Sequence, residues 1–399
     1  MGVGIGNVGM VWQRWNNASN GNRTVYIATA EQLTAFAIRV NNGETTLNGV
    51  LTADIVLQDD ISGWAEWGSN PPVKIKKWIP IGTSDHKYAG TFDGAGFTVS
   101  GLYINNVTKN GQGLFGIARN GATIKNLGLT QSYIKGPDDV GGIAGAMYGD
   151  IINCYNTATI SGKDNIGGLA GYIETTSNFS NSYNSGKISG NSYVGGLIGH
   201  SRATKGIING CNTGTISGTA NVGGVVGYNI AGTMTNCYYQ TGTAASGLGN
   251  ADDVTSKVAV KTASAFAAGE VVYLLNQYAV QTEYPEDWRY WTQKPGETGV
   301  SFTSSSAQAV NKKITLDYQN SQEPRVFYGA ENSRIMGLPA VPEGYINTYL
   351  TAGMVLSHGA MSDYRFSAID EVIVTVKQYQ LTGICRRDRR QTLWHYQQL

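Results

Sequence analysis

Between residues 113 and 250 the apolar positions alternate with polar ones or come in short β-branched runs, broken every few residues by Gly, Asn or Ser. The pattern also repeats. Residues 151–162 (Ile-Ile-Asn-Cys-Tyr-Asn-Thr-Ala-Thr-Ile-Ser-Gly) match residues 207–218 (Ile-Ile-Asn-Gly-Cys-Asn-Thr-Gly-Thr-Ile-Ser-Gly) almost residue for residue, and 180–190 is the copy between them. No stretch here sustains a helical period over ten residues, whereas short alternating runs with turn residues between them predict strands. A second signature, glycine-rich and apolar, occurs as Gly141-Gly142-Ile143-Ala144-Gly145, Gly167-Gly168-Leu169-Ala170-Gly171, Gly195-Gly196-Leu197-Ile198-Gly199 and Gly223-Gly224-Val225-Val226-Gly227. Gly113-Leu114-Phe115-Gly116 is a shortened copy ahead of them, and the first glycines of the four full copies step by 26, 28 and 28 residues. A period in this range is the mark of a solenoid, whose coils bury their apolar side only by stacking.

The expected fold is therefore all-β: a right-handed parallel β-helix, with about three short strands per repeat. Stacking gives the recurrent residues a physical reason. Asn126, Asn153, Asn181, Asn209 and Asn236 recur at 27, 28, 28 and 27 residues, and a column of amides can hydrogen-bond from coil to coil. The glycines would permit positive φ at corners and leave no Cβ where coils approach. Ile160, Ile188 and Ile216, 28 residues apart, predict a core column.

Both ends of such a stack need covers. Residues 29–40 predict an amphipathic helix, with Thr29 and Gln32 as a capping box and Gly43 as its stop. Strand-like segments follow at 51–57, 78–82 and 90–102. Residues 263–277 predict a second helix, with Gly269 as its weak point. The chain then divides as a lead at 1–23, an N-terminal cap with first coils at 24–112, repeats at 113–250 and a C-terminal cap at 251–302. A Ser/Ala-rich linker at 303–312 precedes a small domain at 313–380, with strands near 314–318, 325–328 and 371–376. The tail at 381–399 is expected to be disordered; its Cys385-Arg386-Arg387-Asp388-Arg389-Arg390 run carries charge without a folding pattern.

Composition narrows the function classes. Among 399 residues only 14% are charged, with a net charge of +1, so there is no electrostatic case for nucleic acid or an acidic membrane surface. No apolar run reaches the ~18–20 residues of a membrane span. Residues 1–6 lack the basic and apolar regions of a signal peptide. Cys154 and Cys237 fall in one column three coils, or roughly 14 Å, apart at strand spacing, beyond disulfide reach. With Cys211, which points to the other face, they are expected to be free thiols. No CxxC motif or His cluster suggests a metal, and no cofactor is expected.

The glycine-apolar repeats resemble the GLUG-motif family of bacterial surface proteins. Further matching segments occur in order: 27–33, 51–55, 78–82, 90–94 and 266–276, so the resemblance covers about residues 24–295. It implies a parallel β-helix within a large secreted or wall-anchored protein, either adhesin-like or part of a bacterial immunoglobulin-A metalloprotease. Residues 314–318, 338–345 and 372–376 resemble the internalin-type B repeat (the Listeria–Bacteroides repeat), which implies a small β-grasp-like C-terminal domain. At 347–350 the sequence Asn-Thr-Tyr-Leu departs from the Gly-Trp-Tyr-like element of such repeats. Both resemblances imply an extracellular or cell-surface location, and a longer protein that would supply the signal peptide and anchor.

Candidate chemistry is sparse. The repeats hold Asp138, Asp139, Asp150, Asp164 and Glu174. None is expected in column with another, and Asp138–Asp139 reads as a turn. Asp93 lies in a Gly-flanked turn and reads the same way. His86, His200, His358 and His395 are scattered, no HExxH, GxSxG or P-loop occurs, and the glycine pairs are followed by no Lys-Ser/Thr. One column is of interest: Ala146, Tyr172, His200 and Tyr228, each just after the last signature glycine. Facing solvent, Tyr172, His200 and Tyr228 would form a ligand-binding strip for sugars or a protein; facing inward, they would form a stacking ladder that stiffens the corner. The parallel column Tyr155, Tyr183, Cys211 and Tyr238 reads as packing. The expected function is a non-enzymatic extracellular module, adhesin-like or a stalk, whose partner is a host or neighbouring-cell glycan or protein, with no nucleic acid and no membrane insertion. The alternative is a carbohydrate-active β-helix enzyme, a polysaccharide lyase or glycoside hydrolase, and a pure spacer is the third possibility.

Overall fold

In the computed structural model the described residues are 23–250, 258–281, 288–289 and 291–293. Beyond them only the backbone strands at 300–302, 315–317, 325–326, 345–350, 354–357, 371–376, 381–387 and 394–398 are described. The repeats form a parallel β-solenoid of eight turns. One sheet runs its whole length, through Thr24–Ile27, Asn48–Leu51, Thr91–Asp93, Thr123–Lys125, Asp150–Ile152, Phe179–Ser180, Ile207–Ile208 and Met234–Thr235. A complete coil holds five strands, not the three expected: Asp138–Gly141, Ala144–Met147, Asp150–Ile152, Tyr155–Asn156 and Thr159–Ser161. The chain bends after every two to four residues, so each apolar run divides over more faces than alternation alone suggests.

The core is a set of stacked columns. Ile124, Ile151, Phe179, Ile207 and Met234 stand in register and are buried. The isoleucine column reaches further than expected, from Ile104 and Ile134 through Ile160 and Ile188 to Ile216. Cys154 and Cys237 fill the interior as free thiols, and burial pushes each up to about 12. Cys211 is also free and buried; the side chain of Cys385 lies outside the described residues.

The outer asparagine column forms as expected. Asn153 donates to Asn126 at 2.8 Å, Asn181 to Asn153 at 2.6 Å, Asn209 to Asn181 at 2.7 Å and Asn236 to Asn209 at 2.7 Å. Asp93 ends the ladder by accepting from Asn126 at 2.9 Å, and it closes its own turn at Ala95 N. These five asparagines, not the signature glycines, occupy the left-handed region, with φ between 49° and 59°. Asparagine tolerates that conformation because its short amide can hydrogen-bond locally. The expected positive φ at the signature glycines is thus wrong, while their close-approach role holds. A Cβ at Gly142 would lie 2.6 Å from Gly168 O and 2.7 Å from Asn156 Oδ1.

That contact reveals a second ladder, inside the coil. Asn156 donates to Asn184 and Asn184 to Asn212, both at 2.8 Å. Each amide also closes a bend of its own strand, Asn184 through Gly186 N and Gly186 O at 3.1 Å each. The second signature glycine makes room for it in the first three of the four full copies: a Cβ at Gly168 or Gly196 would strike Asn184 or Asn212, whereas Gly224 in the fourth faces Tyr239.

At the N-terminal end α1 (Ala30–Asn41) covers the first coils, and Phe36 packs edge-on against Phe92, with ring centroids 5.6 Å apart. Thr29 caps it by accepting from Gln32 N at 3.3 Å, and Gly43 (φ 109°) follows its end. Of the predicted strand at 78–82 only a single bridge forms, Ile81 to Phe115. The expected helix at 263–277 is two helices, α2 (Ala263–Ala267) and α3 (Glu270–Gln281), broken where Gly269 turns to φ 80°. Residues 288–289 and 291 lie along the side of the solenoid, where Arg289 N meets Asn153, so this region does more than close the last coil.

The B-repeat expectation falls mostly outside the described residues. Glu371–Val376 forms as predicted and pairs with Leu381–Arg387, which pairs with Trp394–Gln398. Strand pairing thus continues into the tail expected to be disordered, where Leu381, Thr382 and Ile384 supply β-forming residues beside the arginines.

Candidate functional site

The column Ala146, Tyr172, His200, Tyr228 stands in parallel register on adjacent coils. Ala146 is 5% exposed, while the three rings are half-buried and outside the solenoid's core cluster. They pack on one another edge to face. Tyr172 and His200 have centroids 5.2 Å apart at 88°, and His200 and Tyr228 lie 5.3 Å apart at 89°. Two further tyrosines, missed in the sequence, join them. Tyr148 lies 6.1 Å from Tyr172 and carries Lys87 Nζ 5.6 Å over its ring. Tyr193 lies 5.7 Å from His200 and 4.9 Å from Tyr228. Five rings thus form one strip along the axis.

Tyr193 had a readable signal. It shares a column with Asp139, Asn165 and Asn221, and all four are left-handed, with φ of 52° to 57°. Asp and Asn adopt that conformation readily, whereas a bulky residue there is strained.

Polar groups border the strip. The Tyr172 hydroxyl donates to Glu174 Oε2 at 2.7 Å, and Arg202 Nε lies 3.7 Å from Glu174 Oε1. That hydroxyl bond chiefly holds Glu174 below the usual carboxylate range. Burial first, then Glu174, pushes the Tyr172 phenol up to about 12. Burial first, then Arg202, lowers the His200 imidazole, against a weaker pull from Glu174. His200 Nε2 is buried without a hydrogen-bond partner.

The carboxylates differ from expectation. Asp138 begins a strand and stands in register with Asp164, so two acidic residues do share a column and Asp138 does not lie in a turn. The parallel register leaves no choice: both precede the left-handed residue of their coil. Asp138 Oδ1, Asp164 Oδ1 and Asn165 Oδ1 are buried without partners, and Asn165 Nδ2 donates to Asp139 Oδ1 at 2.8 Å. Burial raises the Asp139 carboxyl. Asp150 is taken up by Asn178 N at 2.9 Å. Among the described residues no three His, Cys, Asp or Glu side chains are grouped to hold a metal ion, and no helix is long and apolar enough to cross a membrane. His86 is exposed and makes no ring contact with the strip, and the side chains of His358 and His395 lie outside the described residues. Tyr155 and Tyr183 stack at 4.9 Å and 2°, and Tyr183 is covered by Trp291 at 5.8 Å, so that column packs against Trp291.

Fold and strip define a parallel β-solenoid with glycine-rich coils and one aromatic side. The GLUG motif matches two adjacent coils, at residues 136–161 and 164–189. The chain is 37% identical over 79 residues to a protein of Evansella cellulosilytica described as a putative Gly-rich membrane protein, covering 19% of this chain and 9% of that one. It is 30% identical over 141 residues to the halomucin of Haloquadratum walsbyi, covering 35% of this chain and 2% of that one. The chain therefore spans less than a tenth of the length of either relative. No solved structure matches it.

Proposed function

We propose that this chain is a non-enzymatic extracellular module of a bacterial surface protein, adhesin-like, and that it binds a glycan along the strip of Tyr148, Tyr172, His200, Tyr193 and Tyr228. The observation that carries the reading is Tyr193. The fold supplies Asp or Asn for that left-handed column in the other coils, yet here a strained tyrosine extends a line of rings. Sugars stack on aromatic faces while their hydroxyls take hydrogen bonds. The strip offers both, with rings flanked by Glu174, Arg202 and the unpartnered Nε2 of His200. The GLUG repeats, and relatives named as a Gly-rich membrane protein and a halomucin, fit a surface setting.

A glycan array followed by calorimetry tests this. Tyr172→Ala/Tyr228→Ala should abolish binding shown by the parent. Equal binding by both proteins removes the strip, and no binding by the parent leaves a spacer. The Asp138–Asp164 column, beside Asp139 with its raised carboxyl, favours a second reading, a carbohydrate-active enzyme. Release of reducing ends from a polysaccharide panel, lost in Asp138→Asn and Asp164→Asn, would replace the adhesin reading.

A further inference from the structure

The outer asparagine ladder does more than join coils. Where Trp288, Arg289 and Trp291 cross it as a strap, asparagine side chains take up the main chain. Arg289 N donates to Asn153 Oδ1 at 3.1 Å, and Arg289 O accepts from Asn181 Nδ2 at 2.9 Å. Two residues on, Trp291 N donates to Asn276 Oδ1 at 2.8 Å and Trp291 O accepts from Asn276 Nδ2 at 3.0 Å. All four main-chain polar groups of Arg289 and Trp291 thus meet an asparagine, two on the ladder and one on α3. This recognition is indifferent to side-chain identity at those bonds, as when an extended peptide docks through its backbone.

Side-chain identity is read at the tryptophans. Trp288 is 4% exposed and packs with Ile152, Ile208 and Tyr278. Trp291 is fully buried, lies 5.8 Å from the Tyr183 ring and donates from Nε1 to Asn181 Oδ1 at 2.7 Å. Between them the Arg289 side chain lies over Gly96, where a Cβ would collide with it. The groove therefore has an amide floor, a helical wall and two aromatic slots three residues apart.

We propose that this groove is a peptide-binding site for a Trp-X-X-Trp segment, filled in cis by Trp288, Arg289 and Trp291, and that the ligand it takes in trans is the same segment of a second copy of this chain. The second copy follows from the contacts: an exchanged strap would reproduce every one of them, which is the low-cost route to association by swapping. Six residues, 282–287, join α3 to the strap, enough to span about 20 Å when extended. A tether that short keeps the cis segment at an effective concentration on the order of millimolar. The trans ligand is therefore shut out until the cis strap is weakened.

A fluorescein-labelled peptide of sequence Glu-Asp-Trp-Arg-Tyr-Trp-Thr-Gln (residues 286–293) is the probe, titrated into the full chain and followed by anisotropy. Trp288→Ala/Trp291→Ala and Arg289→Pro each weaken the cis strap, the second by removing the N–H that Asn153 accepts without touching the solenoid. Each variant should bind the probe at least about tenfold more tightly than the parent, the release expected when a tethered competitor is removed. A probe with alanine for both tryptophans should not bind. The proposal fails if Arg289→Pro keeps the parent's circular dichroism and melting curve yet shows no saturable binding, or if the alanine probe binds equally well. Should the double-tryptophan variant lose its fold, Arg289→Pro alone decides.

Discussion

Asn184 is the middle amide of the inner ladder and only 1% exposed. It makes four hydrogen bonds: it accepts from Asn156 Nδ2 and Gly186 N, and donates to Asn212 Oδ1 and Gly186 O. In Asn184→Ala the neighbouring amides keep their own bends, Asn156 at Ala158 and Asn212 at Gly214. Gly186 does not: its N–H and C=O lose the amide that closes a buried turn. A buried polar group stripped of its partner costs about 1–3 kcal/mol, so the two together cost about 2–6 kcal/mol. Against a total stability of about 5–15 kcal/mol that is a large share. For a solenoid of this size it should lower the melting temperature by roughly 5–20 °C. Circular dichroism melts and urea titrations of Asn184→Ala measure it, with exposed Asn191→Ala as the control. Asn184→Asp should be worse than alanine at pH 7, because a carboxylate keeps the acceptors but faces Gly186 O and Asn212 Oδ1 without a proton. Burial raises the folded pKa of such a carboxyl, so its folded state is favoured at low pH and loses ground as pH rises. A melting shift of under about 2 °C for Asn184→Ala, on the scale of a neutral surface change, would refute the ladder's contribution.

Three further outcomes follow from the same structure. Gly196→Ala should destabilise by about 1–3 kcal/mol, because its Cβ meets Gly224 O and the Asn212 side chain. Gly63→Ala, with open space around it, should be neutral, and urea midpoints compare the two. His200 has its folded pKa below the unfolded 6.5, so the unfolded chain holds the proton more tightly. Stability should fall as pH drops below about 6.5 towards the folded value, and stay flat above it. His200→Phe should lose that slope in melts across pH 5–8, and an unchanged slope would assign it to another group. Tyr193→Asn trades backbone strain of ~1–3 kcal/mol against two ring contacts worth about 0.5–1.5 kcal/mol each, so stability should move little while glycan affinity drops. A large loss of stability would make Tyr193 a packing residue.

The period of 26 to 28 residues, the outer asparagines and the isoleucine column were legible because each recurs and each has a stacking role. What was not legible lies below the period. Five strands fit where three were expected because bends at Asn153, Asn156 and their equivalents look, in sequence, like polar interruptions of longer strands. Asn156, Asn184 and Asn212 recur as regularly as the outer set, yet a buried amide column is visible only once Gly142, Gly168 and Gly196 are seen to give it room. Asp138 and Asp164 each stand three residues before the first signature glycine of their repeat, Gly141 and Gly167, so their shared column was legible from the same 26-residue step, which is two shorter than the next. The two-residue difference falls in the turn between Ala170–Ile173 and Phe179–Ser180, which has no counterpart of that length after Ala144–Met147. Gly269 was recognised as a weak point, but only the fold decides between a kink and a break.

Repetition constrains where recognition can arise in such a chain. A residue that serves every coil must satisfy both neighbours, so the ladders and the signature glycines are held fixed by stacking and cannot vary to select the side chains of a ligand. Freedom remains at positions where one coil departs from its neighbours at a cost. Tyr193 is such a departure, a left-handed tyrosine among Asn and Asp, and it adjoins His200, whose Nε2 is buried without a partner. The strap is another: Trp288 and Trp291 fill slots beside Asn153 and Asn181 that stacking alone does not require. The two departures lie on different faces, the strip beside Ala170–Ile173 and the strap over Asn153 and Asn181. Binding at one should therefore leave the other free. A strap-released Arg289→Pro protein should keep the parent's glycan affinity, and a Tyr172→Ala/Tyr228→Ala protein should keep its strap closed to the peptide probe. Loss of both functions in either variant would mean that one rigid solenoid does not carry two independent sites.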